Sequence, residues 1–310
     1  MKIDIIIPIY YPGKDFFALL DRLEEQTVPV QNIILMNTER EGFERLTENM
    51  DFGQKYPNAK VYHLSRQEFD HGGTRRRAVE YSDADIFVCM TQDAMPEDAY
   101  LLENLVKHLE GKVAAAYARQ LPGEGSSEFE TVSRMFNYPA ASRVKTSADL
   151  EDMGIKTFFC SNVCAAYRRD VYDKLNGFVE RTIFNEDMIY AAGGIRAGYA
   201  IAYEARARVV HAHNYTNIQQ FHRNFDLGVS QAQHPEIFGM AASETEGRKL
   251  VTTTWRYLKE KKRLYRFPGF CLQCGFKYAG YLLGKHYRKL PRKLILKMTG
   301  SREYWNQERL

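Results

Sequence analysis

The stretch Ile86-Phe87-Val88-Cys89-Met90-Thr91-Gln92-Asp93-Ala94-Met95-Pro96 decides the fold class of this chain. Its apolar first half predicts a buried strand, which ends on a single carboxylate, Asp93, before a turn that contains proline. Ligands bind beyond the carboxyl ends of strands in open α/β sheets, so Asp93 is a candidate residue of a metal or phosphate site. A structural role is the alternative, because Asp is a preferred helix N-cap and a helix is expected to begin near Pro96.

Strands and helices alternate on both sides of this stretch. Apolar runs predict strands at 3–9, 32–36, 61–64, 84–90, 113–117, 158–167 and 207–211, and helical spacing predicts helices at 16–23, 74–81, 101–109, 168–176 and 184–198. This alternation indicates an α/β fold with a parallel sheet and right-handed crossovers. Residues 123–157 begin with a glycine- and serine-rich loop and show no clear period, which is typical of a lid or binding segment.

The chain is basic at its C-terminal end and acidic elsewhere. Residues 255–310 hold 15 Lys and Arg against 3 Asp and Glu, a net charge of +12, and the other residues hold 28 against 36, a net charge of −8. A tail of this kind usually faces an anionic partner, such as a membrane surface or a nucleic acid. Apolar residues among its cations favour a membrane interface, although no window reaches the ~18 to 20 apolar residues that span a bilayer. A solvated helical appendage packed on the rest of the chain is the alternative.

The cysteines and the N-terminal residues indicate the cellular compartment. The five cysteines are odd in number, and the first strand contains Asp4 where a signal peptide would have a long apolar stretch, so a reducing cytosol is expected. Cys271-x-x-Cys274 has no second cysteine pair, which favours buried or interfacial thiols over a zinc site. The length of 310 residues suits two average domains or one large α/β domain with an appendage.

A segment rich in glycine and arginine, Phe69 to Arg77, precedes a predicted helix. Gly72 and Gly73 would let backbone amides approach a phosphate, and the arginines at 75–77 would supply guanidinium donors, so we predict a diphosphate cradle. The segment is neither a Walker A loop nor a G-x-G-x-x-G fingerprint. Consecutive helical residues point in different directions, so at most one or two of these arginines are expected to face a common site.

Acids and histidines mark two further element ends. Glu186 and Asp187 stand at the start of a predicted helix, where the helix dipole alone would favour acids. His211 and His213 follow a predicted strand, and strand alternation places both imidazoles on one face. That pair suits metal binding, and two incidental polar histidines are the alternative.

Taken in order, these motifs resemble the inverting family 2 glycosyltransferases of GT-A fold. Phe69–Arg75 and Thr91–Pro96 are similar, within that family, to bacterial rhamnosyltransferases that build cell-surface polysaccharides from dTDP-L-rhamnose. The resemblance covers roughly residues 1–225. It implies a Rossmann-like, mixed but mostly parallel central sheet with flanking helices, in a catalytic domain at 1–235 with a nucleotide-sugar half at 1–118 and an acceptor half at 119–235. A basic, mostly helical region at 236–310 would follow.

The resemblance also implies roles for individual residues. Asp93 matches the last Asp of the family's D-x-D motif, which binds a divalent cation, Mg²⁺ or Mn²⁺, on the donor's diphosphate. Asp187 matches the catalytic base. His211, with His213 as the alternative, matches the third metal-associated position, and Arg75 matches the arginine that contacts the nucleotide diphosphate.

Further positions are expected to contact the substrates. The nucleotide is expected at Pro8, Tyr10, Asn37 and Gln92, and the acceptor or the transferred sugar at Asn162, Glu186 and His213. Two positions depart from the family pattern, because Thr91 replaces the first Asp of D-x-D and Asn37-Thr38 replace an acidic pair. Fewer carboxylates should weaken metal affinity and alter base recognition.

The expected function is therefore the transfer of a sugar, with L-rhamnose as the favoured one, to a glycan or lipid-linked oligosaccharide. The reaction is expected at the inner face of the cell membrane, where the basic region would contact the anionic surface. A sugar-1-phosphate nucleotidyltransferase is the alternative enzyme, but the first strand is followed by Tyr11-Pro12-Gly13-Lys14 and not by a glycine-rich basic loop. A nucleic-acid-binding protein is a further alternative, and the acidic first two-thirds of the chain argue against nucleic acid as a partner.

Overall fold

In the computed structural model, which describes residues 1–239 and 243–307, the strands join in one mixed sheet. The strands are β1 Ile3–Tyr10, β2 Asn32–Thr38, β3 Ala59–Leu64, β4 Ile86–Met90, β5 Met95–Pro96, β6 Val113–Leu121, β7 Arg143–Lys145, β8 Cys164–Arg168 and β9 Ala200–Val210. Their order across the sheet is β3-β2-β1-β4-β8-β6-β9-β5, and β7 pairs with β9 away from this path.

The helices cover both faces of the sheet and then continue beyond it. They are α1 Asp15–Glu24, α2 Arg40–Thr47, α3 Phe52–Lys55, α4 His71–Glu80, α5 Leu101–Val106, α6 Glu128–Asn137, α7 Leu150–Met153, α8 Arg169–Lys174, α9 Glu186–Arg196, α10 Asn217–Gln233, α11 Pro235–Phe238, α12 Ser243–Glu260, α13 Phe267–Lys285, α14 Arg292–Met298 and α15 Arg302–Gln307. Short 3₁₀ helices lie at Ser147–Asp149, Gly154–Phe158, Leu264–Arg266 and Tyr287–Lys289.

Most strands run in one direction. β1 is parallel to β2 and β4, β2 is parallel to β3, and β6 is parallel to β9, whereas β8 runs antiparallel between β4 and β6. The short strands β5 and β7 are antiparallel to β9. The prediction of a mixed, mostly parallel sheet with flanking helices is therefore confirmed.

The first strand shows how the sequence builds two cores. Successive side chains of β1 point to opposite faces, so Ile6 packs in one core with α4 and α9 while Ile5 and Ile7 pack in the other with α1 and α5. Asp4 is buried as well, and its carboxylate accepts hydrogen bonds from the Asn32 backbone N–H at 2.9 Å and the Ser82 hydroxyl at 2.6 Å. These bonds satisfy the buried charge and tie the start of β1 to β2 and to the segment before β4.

Several element bounds differ from the sequence prediction. Helix α4 begins at His71 and not at Thr74, because the Asp70 side chain caps it by accepting the Gly73 N–H at 2.5 Å. Residues 158–163 are not a strand, and β8 begins only at Cys164, where pairing with β4 starts. The stretch 123–157 contains α6, β7 and α7, and the Ser127 hydroxyl caps α6 by accepting the Glu130 N–H at 3.2 Å.

The C-terminal helices pack on α10. An ideal Cβ on Gly228, Gly280 or Gly284 would lie 2.1–2.3 Å from a backbone oxygen of the facing helix, so glycine permits the close crossing of α10 and α13. Within residues 1–239 and 243–307, no helix combines the length and apolar character that crossing a bilayer would require. The division at residue 235 stays a prediction.

Candidate functional site

A cavity of about 550 Å³ lies beyond the carboxyl ends of β4, β6 and β9. Asp93 reaches it from the turn after β4, His211 and His213 from the segment after β9, and Asp187 from the first turn of α9. The sheet thus gathers side chains that are more than a hundred residues apart in sequence around one space.

Asp93, His211 and His213 form a compact cluster in this cavity. The carboxylate oxygens of Asp93 lie 3.0 Å from His213 Nε2 and 3.5 Å from His211 Nε2, and the two Nε2 atoms lie 3.0 Å apart. Asp93 caps no helix in the described structure, since α5 begins at Leu101 after the N-cap residue Tyr100. The structure therefore brings the three residues together, and their role as metal ligands stays a prediction.

The surroundings of the cluster favour an ionised Asp93 carboxylate. Burial raises the pKa of Asp93, but hydrogen bonds to His211 and His213 outweigh it and hold that pKa well below its usual range. Burial lowers the pKa of His211, although the Asp93 charge opposes this effect. An anionic carboxylate and neutral imidazole nitrogens are the forms that bind metal ions.

Gln120 orients His211, and it was not predicted from the sequence as a residue of the site. Its Oε1 atom lies 3.0 Å from His211 Nδ1, while its amide nitrogen donates to the hydroxyls of Tyr138 and Ser161. The amide oxygen can only accept, so His211 donates from Nδ1, and its Nε2 atom is directed at Asp93 and His213. Two imidazoles and one carboxylate fit a divalent transition ion such as Mn²⁺ better than Mg²⁺, which prefers oxygen ligands.

The two adjacent acids at the start of α9 have different environments. Glu186 is buried, and its Oε1 atom lies 3.1 Å from the Arg75 guanidinium and accepts the Asn162 side-chain amide at 2.9 Å. Asp187 is half-buried and accepts the backbone N–H of Asn162 at 2.9 Å and that of Met188 at 2.7 Å. Both acids line the cavity, but Glu186 is held by an ion pair, whereas Asp187 is held by backbone N–H groups.

The environment of Asp187 suits proton transfer near neutrality. Burial and the adjacent Glu186 charge raise the pKa of Asp187 to about 7, against the opposing effect of its two backbone N–H donors. A carboxylate with a pKa near the working pH is well matched to general-base catalysis. Asn162 positions the Asp187 carboxylate through its backbone and holds Glu186 through its side chain. The role of Asp187 as catalytic base stays a prediction.

Of the three arginines at 75–77, only Arg75 lines the cavity. Its guanidinium also donates to the His71 carbonyl at 2.9 Å, and its Nε atom has no hydrogen-bond partner in the described structure. Arg76 donates to the Asn176 and Phe178 carbonyls and Arg77 to the Tyr81 hydroxyl, both outside the cavity.

The glycines of this segment do not form the predicted cradle. The Gly73 N–H is used by the Asp70 cap, and a Cβ on Gly72 would lie 1.8 Å from the Val179 carbonyl oxygen. Gly72 therefore permits close packing of α4 against the loop before α9. Neither glycine lines the cavity, and the guanidinium that this segment directs at it is that of Arg75.

The residues predicted to contact the nucleotide do not all reach one cavity, because Arg75 lines the larger cavity and a second, smaller cavity of about 260 Å³ adjoins it at His71. Tyr10 lines the smaller cavity, and Gln92 holds the Tyr10 backbone by accepting its N–H at 2.8 Å and donating to its carbonyl at 3.2 Å. Asn37 is buried and does not line it, although the next residue, Thr38, does, and the Asn37 Oδ1 atom is unpartnered in the described structure. Pro8 lies half-buried in β1 opposite Met36.

Residues beyond the predicted set also line these cavities. Arg223 of α10 lies over the rings of Phe184 and Tyr215, at 4.9 and 5.6 Å from their centroids, and it lines the larger cavity together with Lys277 of α13. No local sequence pattern predicts these two cations, because α10 and α13 bring them to the cavity only through long-range packing.

The sequence of the chain is similar to a known protein family and to two curated relatives. The sequence model of the family described as Glycosyl transferase family 2 matches residues 4–175. The O-antigen chain rhamnosyltransferase RfbN of Salmonella typhimurium is 38% identical over 311 aligned residues, which cover 99% of this chain and 96% of that protein. WbaN of Salmonella anatum, also an O-antigen chain rhamnosyltransferase, is 37% identical, with 97% and 95% covered.

Solved structures share the fold at low sequence identity. The mannosyltransferase PcManGT of Pyrobaculum calidifontis, solved with GDP-Man and Mn²⁺, has a TM-score of 0.55 and 16% identity, with 99% of this chain and 88% of that chain covered. TarS residues 1–349 of S. aureus has a TM-score of 0.51 and 14% identity, with 93% and 92% covered.

Proposed function

The chain belongs to glycosyl transferase family 2, and from this membership and its site we propose that it transfers L-rhamnose from dTDP-L-rhamnose to a hydroxyl group of a glycan or lipid-linked acceptor, with inversion, in cell-surface polysaccharide synthesis. The predicted family and the GT-A fold are confirmed. The observation that carries the proposal is that Asp187 and the Asp93, His211 and His213 cluster line one cavity. The two O-antigen chain rhamnosyltransferases, which match almost the whole chain, support the donor sugar.

The donor lies across the two adjoining cavities in this proposal. Its nucleoside occupies the smaller cavity beside Tyr10, and its diphosphate passes His71 toward Arg75, whose Nε atom is available as a donor. Asp93, His211 and His213 would hold Mn²⁺ or Mg²⁺, which when bound supplies positive charge for the departing diphosphate. Arg75 adds a fixed guanidinium charge in the same partly buried space.

Asp187 acts as the general base. It takes the proton of the acceptor hydroxyl while that oxygen attacks the anomeric carbon from the side opposite the diphosphate, and the bond to the diphosphate breaks with its electron pair on the leaving group. Attack from the opposite side inverts the configuration. Asn162 and Met188 fix the carboxylate through backbone N–H groups, so the base needs little reorganisation.

Replacing the base is the direct test of this assignment. Asp187→Asn should lower kcat for rhamnosyl transfer by ~10²- to 10⁴-fold, the usual contribution of a positioned general base, while the Kd for dTDP stays within about threefold of the original. Asp152→Asn, an exposed acid on α7, is the matched control and should leave kcat unchanged. Turnover near that of the unmodified enzyme in Asp187→Asn would reject Asp187 as the base.

The proposed setting is the cytoplasmic side of the cell membrane, where a lipid-linked acceptor would be presented. The basic region at 255–310 and the exposed apolar residues of α13 support a peripheral attachment to an anionic lipid surface. The five cysteines are free thiols in the structure, in agreement with a reducing compartment.

A further inference from the structure

The outer wall of the smaller cavity comes from the far C-terminal end of the chain. Gly300, Ser301, Glu303 and Tyr304 line it opposite residues from β1, β2 and the segment before α4. We call residues 299–305 the strap. Glu303 closes the wall by an ion pair with Arg66, whose guanidinium nitrogen lies 2.7 Å from the carboxylate.

Side chains of helix α10 hold the start of the strap by hydrogen bonds. The buried carboxylate of Asp226 accepts the Thr299 hydroxyl at 2.6 Å and the Gly300 N–H at 2.9 Å. One turn earlier, the His222 ring donates from Nδ1 to the Met298 carbonyl at 2.7 Å. A buried carboxylate needs such donors, so the strap conformation and the burial of Asp226 depend on each other.

The far end of the strap is anchored by apolar packing. Trp305 is fully buried in a cluster with Phe225 and Val229 of α10, and its ring meets that of Tyr287 at 5.5 Å. The Arg292 guanidinium donates to the Trp305 carbonyl at 2.9 Å. The strap is therefore fixed at both ends, and its middle, at Ser301 and Glu303, faces the cavity.

The cavity itself has the chemistry of a nucleoside site. The rings of Tyr10, Phe69 and His71 supply flat apolar surface, and Ser301 and Glu303 supply hydrogen-bonding groups. The Thr38 hydroxyl is buried, lines the cavity and has no hydrogen-bond partner in the described structure, which leaves it for a ligand. A volume of about 260 Å³ is too small for a whole nucleotide sugar, whose remainder would extend past His71.

We propose that the strap is the outer half of the nucleoside-binding pocket and that Ser301 and Glu303 contact the donor's nucleoside. This inference rests on the proposed function, since it takes the donor to be a nucleoside diphosphate sugar. It assigns the end of the C-terminal region to donor recognition, whereas the exposed face of α13 stays free for other contacts. The family resemblance places an acidic pair where this chain has Asn37-Thr38. The carboxylate of Glu303 lines the same cavity as Thr38 and would supply the missing acidic group from the strap.

The test compares ligands with and without a nucleoside. Calorimetric titration with dTDP and with inorganic pyrophosphate, both with Mg²⁺, is carried out on the full chain and on Ser301→Phe, which fills the cavity from the strap side. Ser301→Phe should weaken dTDP binding by about tenfold or more and leave pyrophosphate binding unchanged. Glu303→Gln, at a partly exposed site, should weaken dTDP binding by about 2- to 10-fold, the value of one hydrogen bond.

The controls separate this inference from the proposed function. Lys297→Ala, an exposed residue of α14, should bind dTDP like the unmodified chain. If folded Ser301→Phe binds dTDP with unchanged affinity, or loses dTDP and pyrophosphate equally, the strap is not a nucleoside wall and the proposed function still stands. If Ser301→Phe does not fold, unchanged dTDP affinity in Glu303→Gln overturns the assignment. If the unmodified chain binds no nucleoside diphosphate, the proposed function itself fails.

Discussion

At the residue scale, the Glu186-Asp187 pair shows how neighbouring acids acquire different roles. Both line the cavity, but Glu186 is paired with Arg75 and fixed by the Asn162 side chain, whereas Asp187 accepts hydrogen bonds from backbone N–H groups. The fixed charge of Glu186 then helps to raise the pKa of Asp187 to about 7. Glu186 thus influences Asp187 through its charge, while its predicted contact with the acceptor or sugar stays a prediction.

This arrangement predicts a pH dependence. Below its pKa, Asp187 carries a proton and cannot accept another, so kcat/KM should fall about tenfold per pH unit below about 7 and level off above it. Glu186→Gln removes a negative charge but keeps the oxygen that accepts from Arg75 and Asn162, so the acidic limb should move to lower pH. The measurement is kcat/KM between pH 5.5 and 8.5, and an unshifted limb in Glu186→Gln would contradict the coupling.

The metal cluster makes a second prediction at this scale. Asp93→Ala removes the only carboxylate among the three clustered groups and should weaken Mn²⁺ binding by ~10-fold or more, measured by the EPR signal of free Mn²⁺ without donor present. Glu124→Ala, an exposed acid in the loop before α6, is the control. Mn²⁺ should also support more activity than Mg²⁺ after treatment with EDTA. Full activity without any divalent ion would remove the metal from the mechanism.

At the element scale, the parts of the site that could be predicted are those with local signals. An apolar run followed by one acid marked Asp93, and the resemblance to the family selected Asp187 from two acids at the start of a predicted helix. The predicted proximity of His211 and His213 agrees with the 3.0 Å between their Nε2 atoms, although β9 ends at Val210 and both histidines lie beyond the strand. Each of these signals lies within a few residues, which is the range over which strand and helix patterns act.

The parts that could not be predicted depend on distant contacts. Gln120 and His211 are 91 positions apart and meet only because β6 and β9 pair. Lys145 is buried and donates to the carbonyls of Lys156 and Phe159, which fixes the segment that leads to Asn162. Long-range pairing decides these contacts, and a single sequence without such pairing information gives no sign of them.

The close crossing of α10 and α13 gives a prediction about stability. A Cβ on Gly284 would lie 2.1 Å from the Phe225 carbonyl oxygen, so Gly284→Ala should force the helices apart and lower the free energy of unfolding by ~1 to 3 kcal/mol. Gly275→Ala on the same helix meets no atom within 4 Å and should raise it by ~0.5 to 1 kcal/mol. Denaturant unfolding of both variants is the measurement, and equal effects would show that the crossing is not tight.

At the scale of the whole molecule, the acidic body and the basic C-terminal region are held together by specific contacts. Glu128 pairs with Arg263 and Arg266, and Lys156 pairs with Glu246 at 2.8 Å. Phe225 and Val229 of α10 share an apolar cluster with Trp305. Removing the basic region would therefore expose a core, so its surface role is better tested by point substitutions.

The exposed face of α13 is the surface that suits a membrane. Between residues 267 and 284 the one charged residue is Lys277, which lines the site cavity. Leu272, Tyr278 and Leu282 are 57%, 56% and 43% exposed. At about 100° per residue their directions fall within about 120° of one another, so they form a broad outward apolar stripe. Lys and Arg are concentrated immediately before and after this helix, at 261–266 and 285–293. An apolar stripe flanked by cations is the pattern of a helix that lies in a membrane interface.

This stripe predicts membrane binding that depends on both apolar area and charge. The full chain should sediment with vesicles of phosphatidylglycerol at low salt and less so as salt rises, because screening weakens the attraction of its cations. Leu272→Asp combined with Leu282→Asp should abolish sedimentation, since it places two acids on the stripe, whereas Ile218→Asp, at an equally exposed apolar position of α10, should retain it. Both variants should keep dTDP binding. If the unmodified chain does not sediment with these vesicles at low salt, the basic region has a structural role, in which it packs on α10 and positions the strap.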